Sequence, residues 1–181
     1  MEFDATKYGP PVAELLHLDG DGNRLMPLAR GECSTPDAVA LLKSPRLTAS
    51  LSGAKVADAA LAGLWLYFSC MEQSHEISQG LNVPEGAYWH GILHRQEPDA
   101  WNAKYWFRQV GNHPIHDRLR DEAAAISGNL GTDLHIPELW DPAWFVDLCD
   151  EIWEMPKHRH HQAALEIQRA EWQLLFDYCA T

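Results

Sequence analysis

The chain has 181 residues, 46% of them apolar and 22% charged, which suits one globular domain with a core of its own. Its formal net charge is −12, from 26 acidic against 14 basic residues; a nucleic-acid footprint or an anionic membrane needs clustered cations, so neither partner is expected. Eight tryptophans imply a core built on large aromatics or a pocket lined by them.

The first ten residues, Met1 to Pro10, contain no apolar segment of the kind that opens a signal peptide, and the longest apolar run, Leu61 to Phe68, is too short to span a bilayer. A cytoplasmic protein is expected. Cys33, Cys70, Cys149 and Cys179 form no Cys-x-x-Cys pair, and three of them lie in apolar helix-like patterns. There a thiol acts as a small hydrophobe, and no disulfide framework is expected.

In chain order, Glu14–Leu18 and Arg24–Leu28 flank Asp19-Gly-Asp-Gly-Asn23, which reads as a β-hairpin. The same turn is like the start of a calcium loop, but Arg24 stands where glycine is required and Arg30 where glutamate is required, so that reading fails. Thr35 as cap and Pro36 at the first helical position predict a short helix to Lys43. A long helix is predicted from Ser52 to Gln79, the next from Pro84 to just before Pro98, and a third from Asp99 to Gly111. Further helices are predicted over 116–127, from Asp141-Pro142 to about Glu154, and from Arg159 to Cys179. The expectation is a single, mainly α-helical domain: a bundle of five or six helices over residues 51–181, with a small N-terminal β-hairpin and a short helix over residues 1–50 packed on it.

The chemistry concentrates in residues 72–113. Extending the Leu61, Trp65, Phe68 stripe along the long helix reaches Glu72, His75 and Gln79, so an inward face turns polar. Glu72-x-x-His75 is the spacing by which one helix presents a carboxylate and an imidazole together; the plain alternative is a helix end emerging into water. His90, His94 and Glu97 share one sector of the second helix, and two histidines at i, i+4 can chelate a divalent metal. No glutamate follows His90, so the zincin pattern is absent; a solvated face, or imidazoles satisfied by carboxylates, is the alternative. Arg95 and Asn102 belong to a polar corner between helices. Trp106 is on a core face, with Trp101, Tyr105 and Arg108 on a second. In the last helix Gln168 and Glu171 interrupt apolar stripes, as members of an interior polar network would. Nucleophile elbows, phosphate loops and dinucleotide fingerprints are missing.

The strings Ser74-His75-Glu-Ile-Ser-Gln79, Tyr88-Trp-His-Gly-Ile-Leu-His-Arg-Gln-Glu97, Asn102-Ala-Lys-Tyr-Trp-Phe-Arg-Gln-Val-Gly-Asn-His-Pro114 and Glu171-Trp-Gln-Leu-Leu-Phe-Asp-Tyr-Cys179 resemble a family of uncharacterised proteins found in bacteria and fungi. The resemblance covers roughly residues 57–181 and implies that these strings work together; it implies no reaction. Gln96-Glu97-Pro98 follows Arg95 where Arg-Glu-Gly is expected in many relatives.

Two functions fit these residues. In the first, His75, His90 and His94, with Glu72 or Glu97, hold a divalent metal or act as general acid and base on a small molecule. Arg95 and Arg108 then hold an anionic group, Trp89, Tyr105 and Trp106 line the walls, and Asn102 and Glu171 add polar contacts. In the second, the chain is a non-catalytic helical module binding a ligand or protein through Trp101 and Tyr105. Its histidines, arginines and glutamates are then a hydrogen-bonded network that fixes helix geometry.

Overall fold

The computed structural model describes residues 3–33 and 35–181. Among them there are ten α-helices and no strand: α1 Pro10–His17, α2 Pro36–Leu42, α3 Pro45–Ser50, α4 Ala57–Tyr67, α5 Met71–Gln79, α6 Pro84–Gln96, α7 Ala100–Val110, α8 His116–Asn129, α9 Pro142–Ile152 and α10 His161–Ala180.

The predicted hairpin does not form. Pro10 and Pro11 occupy the first turn of α1, and Val12, Leu15 and Leu16 bury one helical stripe, so Glu14 to His17 are helical. Asp19 to Asn23 close a 3-10 turn in place of a β-turn. The Tyr67 hydroxyl takes over the role of a partner strand: it donates to Asp19 O and accepts from the amides of Gly22 and Arg24, each at 3.1 Å. Gln173 Nε2 donates to Gly22 O at 2.8 Å, and Gln168 Nε2 to the carbonyls of Met26 and Pro27 at 2.9 and 3.1 Å. With these backbone groups taken up by side chains, the 19–28 segment forms no ladder.

The predicted Ser52–Gln79 helix is also broken. Residues 51–56 are turns, and α4 and α5 are separated at Phe68-Ser69-Cys70, where Ser69 adopts φ 58°. Arg24 stabilises the break, its guanidinium donating to the Tyr67 carbonyl and to Ser69 Oγ. The chain then folds back, and Ser74 Oγ donates to Ala62 O at 2.9 Å. The stripe extrapolated from α4 therefore does not continue. Met71, Ser74 and Ser78 form the buried face of α5, while Glu72 and Gln79 are exposed and His75 is half-buried. The break also brings Cys70 to Cys33, with their Cα atoms 4.4 Å apart and their sulfurs bonded, against the expectation of no disulfide; Cys149 and Cys179 remain buried free thiols.

Helix α6 is the axis of the fold. Every residue from Glu85 to Gln96 is buried, with α4, α5, α7 and α9 packed around it. Gly63 on α4 makes room for the Trp89 indole: a Cβ there would lie 2.6 Å from Trp89 Cζ2. Helix α10 packs against α4, α8 and α9; its Trp172 stacks on Phe176 at 5.0 Å and donates to Gly63 O at 2.8 Å. Among the described residues, no helix is long and apolar enough to cross a membrane.

Candidate metal centre

Because α6 is buried all round, its polar side chains need partners. They divide into two groups on different sides of the helix. On one side, His90 and His94 project one turn apart and meet His75 from α5. Ring centroids are 4.5 Å apart for His75–His90, 4.6 Å for His90–His94 and 5.7 Å for His75–His94. One nitrogen from each ring lies within 4.8 Å of the other two. Tetrahedral zinc, with Zn–N bonds of about 2.0–2.1 Å, needs such atoms roughly 3.4 Å apart, so the rings close only slightly around an ion.

The neighbours assign the tautomers. Glu97 Oε2 is 2.9 Å from His94 Nδ1, and a carboxylate can only accept, so Nδ1 carries the proton and Nε2 keeps its lone pair. Ser78 Oγ donates to His75 O and lies 3.3 Å from His90 Nδ1. Its oxygen thus accepts from Nδ1–H, leaving His90 Nε2 as the free donor atom as well. Trp106 of α7 lies over the His90 ring at 4.1 Å. The Asn102 amide nitrogen is 3.2 Å from His94 Nε2 and has to turn aside for a metal to bind there.

Burial, helped by the positive charge His94 and His75 would carry, pushes the His90 pKa down to about 3. Burial also lowers His94, against the pull of Glu97. These two imidazoles are therefore neutral near pH 7, the form that binds metals. Beside the cluster, on the His75 side, opens a cleft of about 270 Å³, lined by Arg30, Met71, Glu72, His75 and Glu97. Arg30 spans its mouth, pairing with Glu72 and, at 3.1 Å, with Glu97 Oε1.

On the other side of α6, Arg95 turns away from the imidazoles. Its guanidinium meets Glu171 Oε2 at 2.5 Å and Gln168 Oε1 at 3.3 Å and lies over the Phe145 ring. The Tyr88 hydroxyl donates to the second Glu171 oxygen at 3.2 Å. Burial holds the Tyr88 pKa far above its ordinary value, and the Glu171 charge adds to the effect. His113 and His116 pack against the Tyr88 ring at 5.3 and 5.8 Å. His113 faces Glu85 at 3.6 Å.

Comparison with protein-family models, with curated proteins and with solved structures returns no match.

Of the residues singled out in the sequence, His75, His90, His94, Glu97, Asn102 and Trp106 come together at the imidazole cluster, with Glu72 at its rim. Glu97 bonds a histidine and is not one of the three mutually close ligand residues. Trp89 is core. Tyr105 is exposed, stacked beside Trp101 with Arg108 over its ring. Two participants escaped sequence reasoning. Arg30 sits in a segment with no periodicity, and Ser78 differs in no visible way from other helical serines.

Proposed function

We propose that His75, His90 and His94 hold one divalent transition-metal ion of the zinc class. Three imidazoles leave an open position facing the cleft, where a small, anionic molecule or water binds and is polarised. The observation that carries this reading is the convergence of three imidazole nitrogens from two helices, two of them on rings whose Nδ1 protons are already committed to Glu97 and Ser78. Imidazole sets suit zinc, copper, iron and nickel, and less well the oxygen-seeking magnesium and calcium. A general-acid role for His90 is less well supported, because burial pushes its pKa down to about 3 and leaves it no proton to give near neutral pH. A cytoplasmic setting belongs to the same proposal, with the Cys33–Cys70 disulfide then of the reducible kind found in that compartment.

The network reading is favoured by a different observation: Arg95, Glu171, Gln168 and Tyr88 hydrogen-bond to one another inside the bundle. It applies to that side of α6, and the two readings coexist.

The test is elemental analysis of untagged protein, followed by calorimetric titration with Zn²⁺ and Co²⁺. One ion per chain is expected, with binding abolished in a His90→Ala/His94→Ala double variant that stays folded. A ligand at a thousand times its Kd adds about 4 kcal/mol of stability, so melting temperature reports binding independently. Wild-type protein that retains no ion and melts unchanged with Zn²⁺, Co²⁺, Ni²⁺ and Fe²⁺ refutes the proposal.

A further inference from the structure

The segment that carries Arg30 is tied down on both sides. Upstream, Gln168 holds the Met26 and Pro27 carbonyls. Downstream, Cys33 is bonded to Cys70, the residue that begins the helix carrying Glu72 and His75. Between these anchors Arg30 crosses the cleft mouth to Glu72 and Glu97, and the second Glu97 oxygen holds His94. The ion pairs of Arg30 are exposed, with 55% of its own side chain and 69% of that of Glu72 open to solvent. Such pairs contribute little and do not fix a segment by themselves. The covalent link supplies the fixation.

We propose that the Cys33–Cys70 disulfide is a redox latch over the histidine cleft. Oxidised, it keeps Arg30 across the mouth. Reduced, it frees the 28–33 segment and opens the imidazoles to metal and ligand. The regulatory meaning rests on the metal-centre reading above.

The reductant is a dithiol. Cys33 is exposed and Cys70 buried, so the incoming thiolate attacks the Cys33 sulfur and the Cys33–Cys70 bond breaks. Cys70 leaves as a thiolate at the N-cap position of α5, where the helix dipole stabilises negative charge and makes it a better leaving group. The second thiol of the reductant then displaces Cys33 from the mixed disulfide and closes the reductant's own disulfide. Two electrons pass to the protein, and the two protons of the dithiol finish on Cys33 and Cys70.

The experiment uses the full chain in four forms: oxidised wild type, wild type reduced with a phosphine and desalted without oxygen, Cys33→Ser, and Arg30→Gln. Two rates are read. The first is release of bound Co²⁺ into excess EDTA. The second is carbethoxylation of His75 by diethyl pyrocarbonate in metal-free protein, followed by peptide mass. Both are expected to rise about tenfold or more in the reduced and Cys33→Ser forms, as a held segment becomes free to open locally. Arg30→Gln is expected to be fast in either redox state. Equal rates in oxidised and fully reduced wild type overturn the latch, as does an Arg30→Gln protein that keeps the wild-type redox response. If no form retains cobalt, the metal reading fails and the His75 rates alone decide: acceleration on reduction supports the latch, and unchanged rates overturn it.

Discussion

Separating Arg95 from Glu171 is the sharpest test of the interior network. Their side chains are 1% and 0% exposed, so neither charge has water to fall back on. Replacing Glu171 by leucine strands a guanidinium whose Nε and one terminal nitrogen already lack partners. Breaking a buried pair in this way costs about 3–5 kcal/mol, whereas exchanging both members for apolar residues costs far less. Glu171→Leu and Arg95→Met should each destabilise by that order, and the double variant by clearly less than their sum, with a coupling energy of at least about 2 kcal/mol. Urea unfolding of the metal-free, disulfide-intact protein, followed by far-ultraviolet circular dichroism, measures it. With a slope of about 2 kcal/mol/M, each single change moves the midpoint by roughly 2 M. Additivity within about 0.5 kcal/mol would show the two side chains to be energetically independent and refute the network.

Three more predictions accompany it. Gly63→Ala drives a methyl into the Trp89 indole and should cost about 1–3 kcal/mol or more through overpacking, seen as a lowered melting temperature; unchanged stability would mean that α4 and α6 are not packed this closely. Burial, reinforced by His113, lowers the His116 pKa from 6.5 to about 4. The unfolded chain therefore binds the extra proton first, and stability present above pH 6.5 is lost as the pH falls toward 4, on the order of 2 kcal/mol of it by pH 5. Urea midpoints from pH 7 to 4.5 should fall less steeply in His116→Gln than in wild type, and parallel slopes would contradict the burial of this ring. Finally, Glu97→Gln removes the carboxylate that orients His94 and should weaken Zn²⁺ binding about 10–100-fold with its stoichiometry retained; an unchanged Kd would remove Glu97 from the centre.

Helices α6 to α10 were legible in the sequence because their signals are local. Pro84 and Pro142 start helices, Asp99 and Asp141 cap them, and apolar periodicity marks their faces. His90 and His94 share a face by helical spacing alone. The Asp19-Gly-Asp-Gly-Asn23 turn misled because its backbone partners are side chains of Tyr67 and Gln173, distant in sequence and invisible to any short window. The α4–α5 break misled for the same reason: Arg24 and Cys33 stabilise it from outside the local sequence.

The tertiary structure alone decided which side of α6 each polar residue serves. Sequence placed His94 and Arg95 side by side, yet one joins the imidazoles and the other pairs with Glu171, 76 positions away. On a helix surrounded on all sides, unpartnered polar groups are costly, and the partners that His94 and Arg95 find come from wherever the chain passes. Local pattern therefore set helices α6 to α10, while long-range contact broke the chain between α4 and α5 and assembled the cleft, its arginine and its disulfide.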